Sequence, residues 1–338
     1  MIFLSDMFCR CLQVSLNQKD KRNSTAKESE MSEISKTIFF GVGGGGCNCL
    51  NHLMEANLKN VEFIAANTDS LSLARSNSPV KILLGAELLQ GSCAAGQVPL
   101  GRQAALDNAG EIAAIVENAE MVMISATLGG GTGSGAAPVI ASLAHEKGAL
   151  VAAFVARPFI FEGETRAGNA AASLLELKKY VDVLFEFKND GILENESITM
   201  LEAFAELDRR ILEGARCFIE MMTPGLVSID QQDLRYMIDG FCEGYIAIGH
   251  GSGENMAAEA VESMLADGTE KFAGEPMNGM VINFSSGPEF SGGRLLECVE
   301  QVNKVFGTDM PVHMTTRVSD EMAGRLKLSI VCLRPRSR

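Results

Sequence analysis

An α/β fold is predicted for this 338-residue chain, with a parallel-sheet domain joined by a long central helix to a smaller α/β domain. Three observations predict it. Short, apolar, strand-like runs alternate with helical segments, the pattern of a parallel sheet covered on both faces. Several of those runs pass directly into glycine-rich or Asn/Asp-rich segments. A stretch from Met200 to Met222 carries one broad apolar face at helical spacing.

The first strand is Thr37-Ile38-Phe39-Phe40, followed by the loop Gly41 to Asn48 and a helical segment from Leu50 to Leu58. A second strand, Val61 to Ala66, ends in Asn67-Thr68-Asp69. A helix is expected from about Gly101 to Asn118, then a buried strand, Glu120 to Ala126. That strand runs into Leu128-Gly129-Gly130-Gly131-Thr132-Gly133-Ser134-Gly135, with a helix starting near Ala136. Strands Ala149 to Ala156 and Val183 to Phe187 end at Arg157-Pro158 and Lys188-Asn189-Asp190. The central helix, 200–222, is stopped by Thr223-Pro224-Gly225. Beyond it, Tyr245 to Gly249, Gly279 to Ser285, Met310 to Thr316 and Leu326 to Leu333 read as strands, with helices at Asn255 to Ala266 and Gly293 to Phe306. The expected organisation is a flexible polar leader over 1–34, a ligand-binding domain over 35–199, the central helix, and a C-terminal domain over 223–335.

Composition narrows the chemistry. Hydrophobic residues make up 46% and charged residues 21%, a globular balance. Trp is absent and aromatics are 6%, so an aliphatic core of Leu, Ile, Val, Met and Ala is expected, with the 17 methionines as filler. The net charge of −14 repels phosphate backbones, so no nucleic-acid partner is expected. A single anionic ligand remains compatible, since backbone amides bind it without basic side chains. The nine cysteines include Cys9/Cys11 and Cys47/Cys49, neither with the further ligands of a zinc site. They read as free thiols in a reducing cytoplasm. The dispersed histidines carry no assigned role. No apolar run approaches the roughly 20 residues of a membrane span, so direct membrane insertion is not expected.

Two glycine-rich strand-to-helix turns carry the functional argument, because ligands of parallel sheets bind at the strands' carboxyl ends. Gly41, Gly43 and Gly46 fit G-x-G-x-x-G, whose backbone can approach a phosphate beside a helix N-terminus. This turn alone also suits a dinucleotide site, with Asp69 as the ribose acid. No Gly-Lys-Ser/Thr is present, which disfavours a P-loop. The second turn, Gly129 to Gly135, together with the first can enclose an extended polyphosphate from two sides, Thr132 and Ser134 adding hydroxyls.

GGGTGSG at Gly129, with GVGGGGCN at Gly41, ANTD at Ala66, RPFIFEG at Arg157, LKKYVDVL at Leu177, ND at Asn189 and TPGLVSIDQQDLR at Thr223, resembles the tubulin/FtsZ superfamily, on its FtsZ side, from about Lys36 to Leu333. The resemblance implies GTP and GDP as ligands, Mg2+ with them, and hydrolysis completed by the next subunit of a head-to-tail polymer. It implies that Gly43, Gly44, Gly45 and Asn48 lie against the α- and β-phosphates, and Asn67, Thr68 and Asp69 near the γ-phosphate, its metal or water. Ala94, Ala95 and Gly96 would wrap the γ-phosphate, and Gly129, Gly130, Gly131, Thr132 and Gly133 would cradle phosphate oxygens. Glu162 would accept from the ribose hydroxyls, Arg166 would pack near the ribose or base, Pro158 falls among the nucleotide-binding residues, and Asn189 at the guanine edge. In gapless register the acid or amide expected on the central helix falls on Arg209, with Asp208 one residue before; Asp208 is taken as the base contact. Asp230 and Asp233 match the acids that polarise the attacking water.

Ser228 stands where the family usually carries Asn, and Gln231 and Gln232 stand where it carries an aromatic or apolar residue and a small one. The family's disordered linker and C-terminal peptide do not follow Leu333, so either a divergent member or a trimmed chain is expected, and the standard membrane-anchored role is not assigned. Partners implied are other copies of the chain and other division proteins. Two alternatives stay open: a nucleotide-binding regulator or scaffold with weak or no hydrolysis, and an NAD(P)-dependent oxidoreductase.

Overall fold

Ile38, Phe40 and Val42 alternate with Phe39 along the first strand, and every one of them is fully buried. Alternate residues of a strand point to opposite faces, so burial of both sets requires a layer on each side of the sheet. The computed structural model supplies both. It describes residues 36–56, 58, 60–189, 192–193, 197–222, 227, 229, 231–238, 240–266, 277–307 and 310–336. The expected leader, Ser228 and Asp230 lie outside these residues.

Among the described residues ten strands form one sheet in the order β3-β2-β1-β4-β5-β6-β7-β10-β8-β9. They are β1 (Thr37–Val42), β2 (Val61–Asn67), β3 (Val80–Leu83), β4 (Met121–Thr127), β5 (Leu150–Ala156), β6 (Val183–Phe187), β7 (Cys242–Ser252), β8 (Gly279–Ser286), β9 (Val312–Val318) and β10 (Arg325–Pro335). The strands from β3 to β7 pair in parallel, and β10 runs antiparallel to both β7 and β8. The sheet crosses from one half of the chain to the other through β6 and β7, where Val183, Leu184 and Phe185 pair with Cys242, Glu243 and Gly244.

The helices are α1 (Gly43–Glu55), α2 (Ser70–Ala74), α3 (Ala86–Leu89), α4 (Val98–Asp107), α5 (Ala109–Ile115), α6 (Gly131–Glu146), α7 (Glu164–Leu177), α8 (Met200–Met222), α9 (Gln231–Met237), α10 (Met256–Ala266) and α11 (Gly292–Phe306). The central helix α8 has the predicted bounds. Both glycine-rich segments differ from expectation: they are not loops ahead of helices but the helices' first turns, so α1 and α6 start at Gly43 and Gly131. The helix expected over 101–118 is two, α4 and α5, parted at Asn108, whose side chain accepts from the amide of Gly85 at 2.9 Å.

The expected aliphatic core needs correction. One face of the sheet is mainly aliphatic, joining Ile38, Val42, Ile124, Val151 and Val155, with Phe40 among them, to Ala and Ile side chains of α4 to α7. The other face, under α1 and α8, is phenylalanine-rich. Phe154 and Phe185 are paired across β5 and β6 and stack with centroids 4.7 Å apart, and Phe218 of α8 meets both edge-on. Few aromatics suffice because these stack on one another. The buried cysteines belong to the same packing: Cys49 and Cys217 lie in the phenylalanine-rich core, and Cys298 and Cys332 in the core between α10, α11 and the sheet beyond β7.

Candidate functional site

The strand order reverses at β1 and β4: β2 and β3 lie to one side and β5 and β6 to the other. A crevice forms at such a switch point beyond the carboxyl ends of the strands. The register makes those ends level, since Val42 pairs with Ala66 on one side and Ala126 on the other. Gly43, Thr68 and Gly129 therefore leave the sheet together.

The two glycine turns touch. A Cβ placed on Gly43 would sit 3.0 Å from the amide nitrogen of Gly133, and Gly43 has a φ of 71°, which suits glycine. Other glycines serve close packing. A Cβ on Gly46 would lie 2.2 Å from the carbonyl of Ser125, one on Gly45 2.3 Å from Thr127, and one on Gly133 2.4 Å from the carbonyl of Thr127. Gly44, Gly96 and Gly130 face open space instead. The sequence thus brings two helix N-termini onto adjacent strands and leaves gaps above them.

Those N-termini are electrostatically bare. Neither α1 nor α6 has a side-chain cap or an acidic residue in its first turn. Their first amides have no partner within the helix, and the dipoles place partial positive charge at one spot. Hydroxyls line it: Thr68 and Thr132, both buried, share a 2.8 Å hydrogen bond, and Ser134 accepts from the amide of Gly129 at 2.7 Å.

The remaining predicted residues surround this point unevenly. Asn48 is exposed on α1. Asn67 is buried, its Oδ1 accepting from the amide of Asp69. Asp69 caps α2: Oδ1 accepts from the amides of Leu71 and Ser72, and Oδ2 from the Ser72 hydroxyl. The Ser72 amide bond leads in holding its carboxyl below the usual range. Ala94 is fully buried against Gly131, while Ala95 and Gly96 form an exposed turn. Pro158 and Arg166 flank Gly129, with 3.2 Å and 3.0 Å to a Cβ built there. Glu162 accepts from the amide of Phe159 at 2.8 Å and pairs with Arg166. Asn189 is buried; its Nδ2 donates to the carbonyl of Arg157, and its Oδ1 has no partner among the described residues.

On α8, Arg209 is exposed and paired with Glu206 and Glu213, whereas Asp208 is half-buried beside His52 and Cys49 of α1. Burial pushes the Asp208 carboxyl up, against the pull of His52. The acid facing α1 is thus the one that gapless reading placed a residue early. Asp233 stands in the first turn of α9.

Sequence reasoning missed Asn169 and Ser173. Asn169 Nδ2 donates to the carbonyls of Gly96 at 3.2 Å and Gly129 at 3.3 Å. The Ser173 hydroxyl donates to the carbonyl of Ser134 at 2.7 Å. Their spacing, one turn apart on α7, was readable; that their face meets the second glycine turn was not. No cluster of His, Cys, Asp and Glu suited to a metal ion occurs among the described residues.

Comparison with known proteins decides what kind of site this is. Residues 36–197 match the Tubulin/FtsZ family, GTPase domain, and the cell division protein FtsZ of Coxiella burnetii is 35% identical over 298 residues, 86% of this chain and 77% of that protein. The chain belongs to the tubulin/FtsZ family. Its FtsZ-like architecture extends beyond the GTPase domain: an empty FtsZ dimer of M. jannaschii superposes with a TM-score of 0.82 at 27% identity, covering 94% of this chain and 91% of that one. A protofilament of CetZ2 from Haloferax volcanii, bound to GTPγS, shares the fold at a TM-score of 0.71 and 19% identity, covering 88% and 92%. The two abutting glycine turns are thus those of a tubulin/FtsZ GTPase domain, which sets the oxidoreductase alternative aside. No helix among the described residues is long and apolar enough to cross a membrane.

Proposed function

We propose that this protein binds and hydrolyses GTP and assembles head to tail into filaments, in cell division or a related cytoskeletal task in the cytoplasm. The observation that carries the reading is the contact between the first turns of α1 and α6, where Gly43 meets Gly133 at the switch point of the sheet. Two uncapped helix N-termini on adjacent strands suit a polyphosphate better than a single phosphate.

In this reading Gly43, Gly44, Gly45, Asn48 and the turn from Gly129 to Gly133 hold the phosphates, and of the paired hydroxyls of Thr68 and Thr132 the one that accepts donates its own proton onward. Gly44 and Gly130, open on the Cβ side, let an oxygen approach the backbone. Glu162 and Arg166 face the ribose, Asn189 offers its unpartnered Oδ1 to the base, and Asp208 closes the base end from α8. Asp69 is held as the cap of α2 by the amides of Leu71 and Ser72, so in this reading it serves the helix rather than the metal. Mg2+ would be held by the nucleotide's phosphate oxygens, with hydroxyls such as Thr68 and Thr132 and water completing its shell, and would neutralise charge on the transferring phosphate. Residues 35–199 bind the nucleotide, and 223–335 present Asp230 and Asp233 to the nucleotide of the next copy, where they orient water. Support for self-assembly comes from the FtsZ dimer that this chain resembles.

Phosphate release measured across protein concentrations, beside an Asp230→Ala variant, tests this. Specific activity is expected to rise above a threshold concentration and to vanish in the variant. Flat or absent activity with GTP binding intact replaces it with a nucleotide-binding regulator or scaffold, which the unusual Gln231-Gln232 pair favours.

A further inference from the structure

The turn from Ala94 to Gln97 is closed by a 2.8 Å bond from the Gln97 amide to the Ala94 carbonyl. Its central residues have φ of 46° at Ala95 and 77° at Gly96, a type I′ geometry. Alanine adopts that conformation at a cost, and such strain persists where the surroundings over-determine it. Two restraints lie within the turn's own neighbourhood: its closing bond, and the burial of Ala94 against Gly131.

The third comes from α7. The Asn169 amide donates to the Gly96 carbonyl, in the turn, and to the Gly129 carbonyl, at the start of the second glycine turn. One side chain thus fastens two segments that leave different strands. Asn169 is not isolated on its helix: one turn on, Ser173 holds the carbonyl of Ser134, so this face of α7 grips the glycine turn twice. Meanwhile the amides of Ala95 and Gly96 donate to no group of the described residues. Two free donors at the tip of a strained turn are therefore held beside the N-terminus of α6 by a side chain that touches neither of them.

We infer that Asn169 is a positioning residue for triphosphate recognition: it ties the Ala95–Gly96 turn to the second glycine turn, so that the free turn amides receive the terminal phosphate of a nucleoside triphosphate. It rests on the nucleotide-binding reading above and deepens it, because it makes the preference for triphosphate over diphosphate depend on a residue of α7. The chemistry is selective, since a diphosphate lacks the oxygens that these amides would meet.

The test is titration of the full chain and of Asn169→Ala with a non-hydrolysable GTP analogue and with GDP. The analogue is expected to bind the variant about five- to tenfold more weakly, the loss of one or two neutral hydrogen bonds, while affinity for GDP changes less than about twofold. Asn169→Gln, which keeps an amide donor, is expected to recover part of the loss. Equal weakening for both nucleotides, or no weakening for either, overturns the assignment. Should the alanine variant fail to fold, Asn169→Ser, too short to reach both carbonyls, is read the same way. Failure of the unmodified chain to bind either nucleotide overturns the underlying reading, and the proposal with it.

Discussion

The buried hydroxyl of Ser173 donates to the carbonyl of Ser134 at 2.7 Å, four residues before Pro138 in α6. In an uninterrupted helix that carbonyl would accept the amide of residue 138, and proline has none. Ser173 supplies the missing donor from a neighbouring helix, and so completes the helix that begins with the second glycine turn. Ser173→Ala leaves a buried carbonyl unsatisfied and is expected to cost about 1–3 kcal/mol in denaturant unfolding. In a Pro138→Ala background, where Ala provides the amide, the same substitution is expected to cost less; additivity of the two changes would refute the account.

The glycines of the first turn divide by what surrounds them. Gly46→Ala drives a Cβ to 2.2 Å from the Ser125 carbonyl and is expected to cost about 1–3 kcal/mol through displacement of α1 from β4. Gly44→Ala meets nothing within 4 Å, so thermal unfolding stays within about 0.5–1 kcal/mol of the parent. GTP affinity, measured by titration, is expected to fall, because the added methyl group stands where phosphate oxygens approach.

Asp69 gives a way to separate cap from ligand. Asp69→Asn keeps an oxygen acceptor for the amides of Leu71 and Ser72, and its stability is expected within about 0.5 kcal/mol of the parent. Asp69→Ala loses the cap, at about 1 kcal/mol. GTP turnover of the Asn variant at saturating Mg2+ is expected to match the parent. A large loss of turnover would instead place the carboxylate at the nucleotide.

Glu243 on β7 sets an acid limit on stability. It is joined to Arg334 of β10, to Lys178 at the end of α7 at 3.3 Å, and to Arg336 at 3.2 Å. Burial pushes its carboxyl up, but Arg334 and Lys178 outweigh burial and hold it at about 2, against an ordinary 4.5. A carboxyl lowered by folding stabilises above its unfolded value and loses that contribution as pH falls through the folded one. The stability difference between the parent and Glu243→Gln is therefore expected to be about 1–3 kcal/mol at neutral pH. It should shrink as pH drops from 4.5 toward 2. A difference independent of pH would exclude the ion pairs as its source.

Strand ends and the central helix were readable because their signals are local: apolar runs, glycine clusters, and one apolar face over 200–222. The helical state of the glycine turns was not, since glycine's intrinsic preference argues against a helix and the packing of Gly45 and Gly46 against β4 decides for one. β3, α7 and α9 escaped because short or mixed patterns resemble loops. The phenylalanine stack was hidden in a low aromatic percentage, because position in the sheet, and not number, brings Phe154, Phe185 and Phe218 together. Of the site, the residue types came from sequence and the division of labour from tertiary contacts. Asp69 shows this as a cap, Asp208 by facing α1 while Arg209 faces solvent, and Asn169 by reaching two loops at once.

The same packing that places cysteines in the core divides them by reactivity. Burial pushes the thiols of Cys47, Cys49, Cys298 and Cys332 up to about 12 and that of Cys217 to about 11. The thiolate they would need for alkylation or disulfide exchange is therefore scarce at neutral pH. Cys93 is exposed, directly before Ala94 and the turn that Asn169 fastens. Among the described cysteines, a thiol-directed fluorophore added to the folded chain would gather at that one position, beside the crevice rather than in the core.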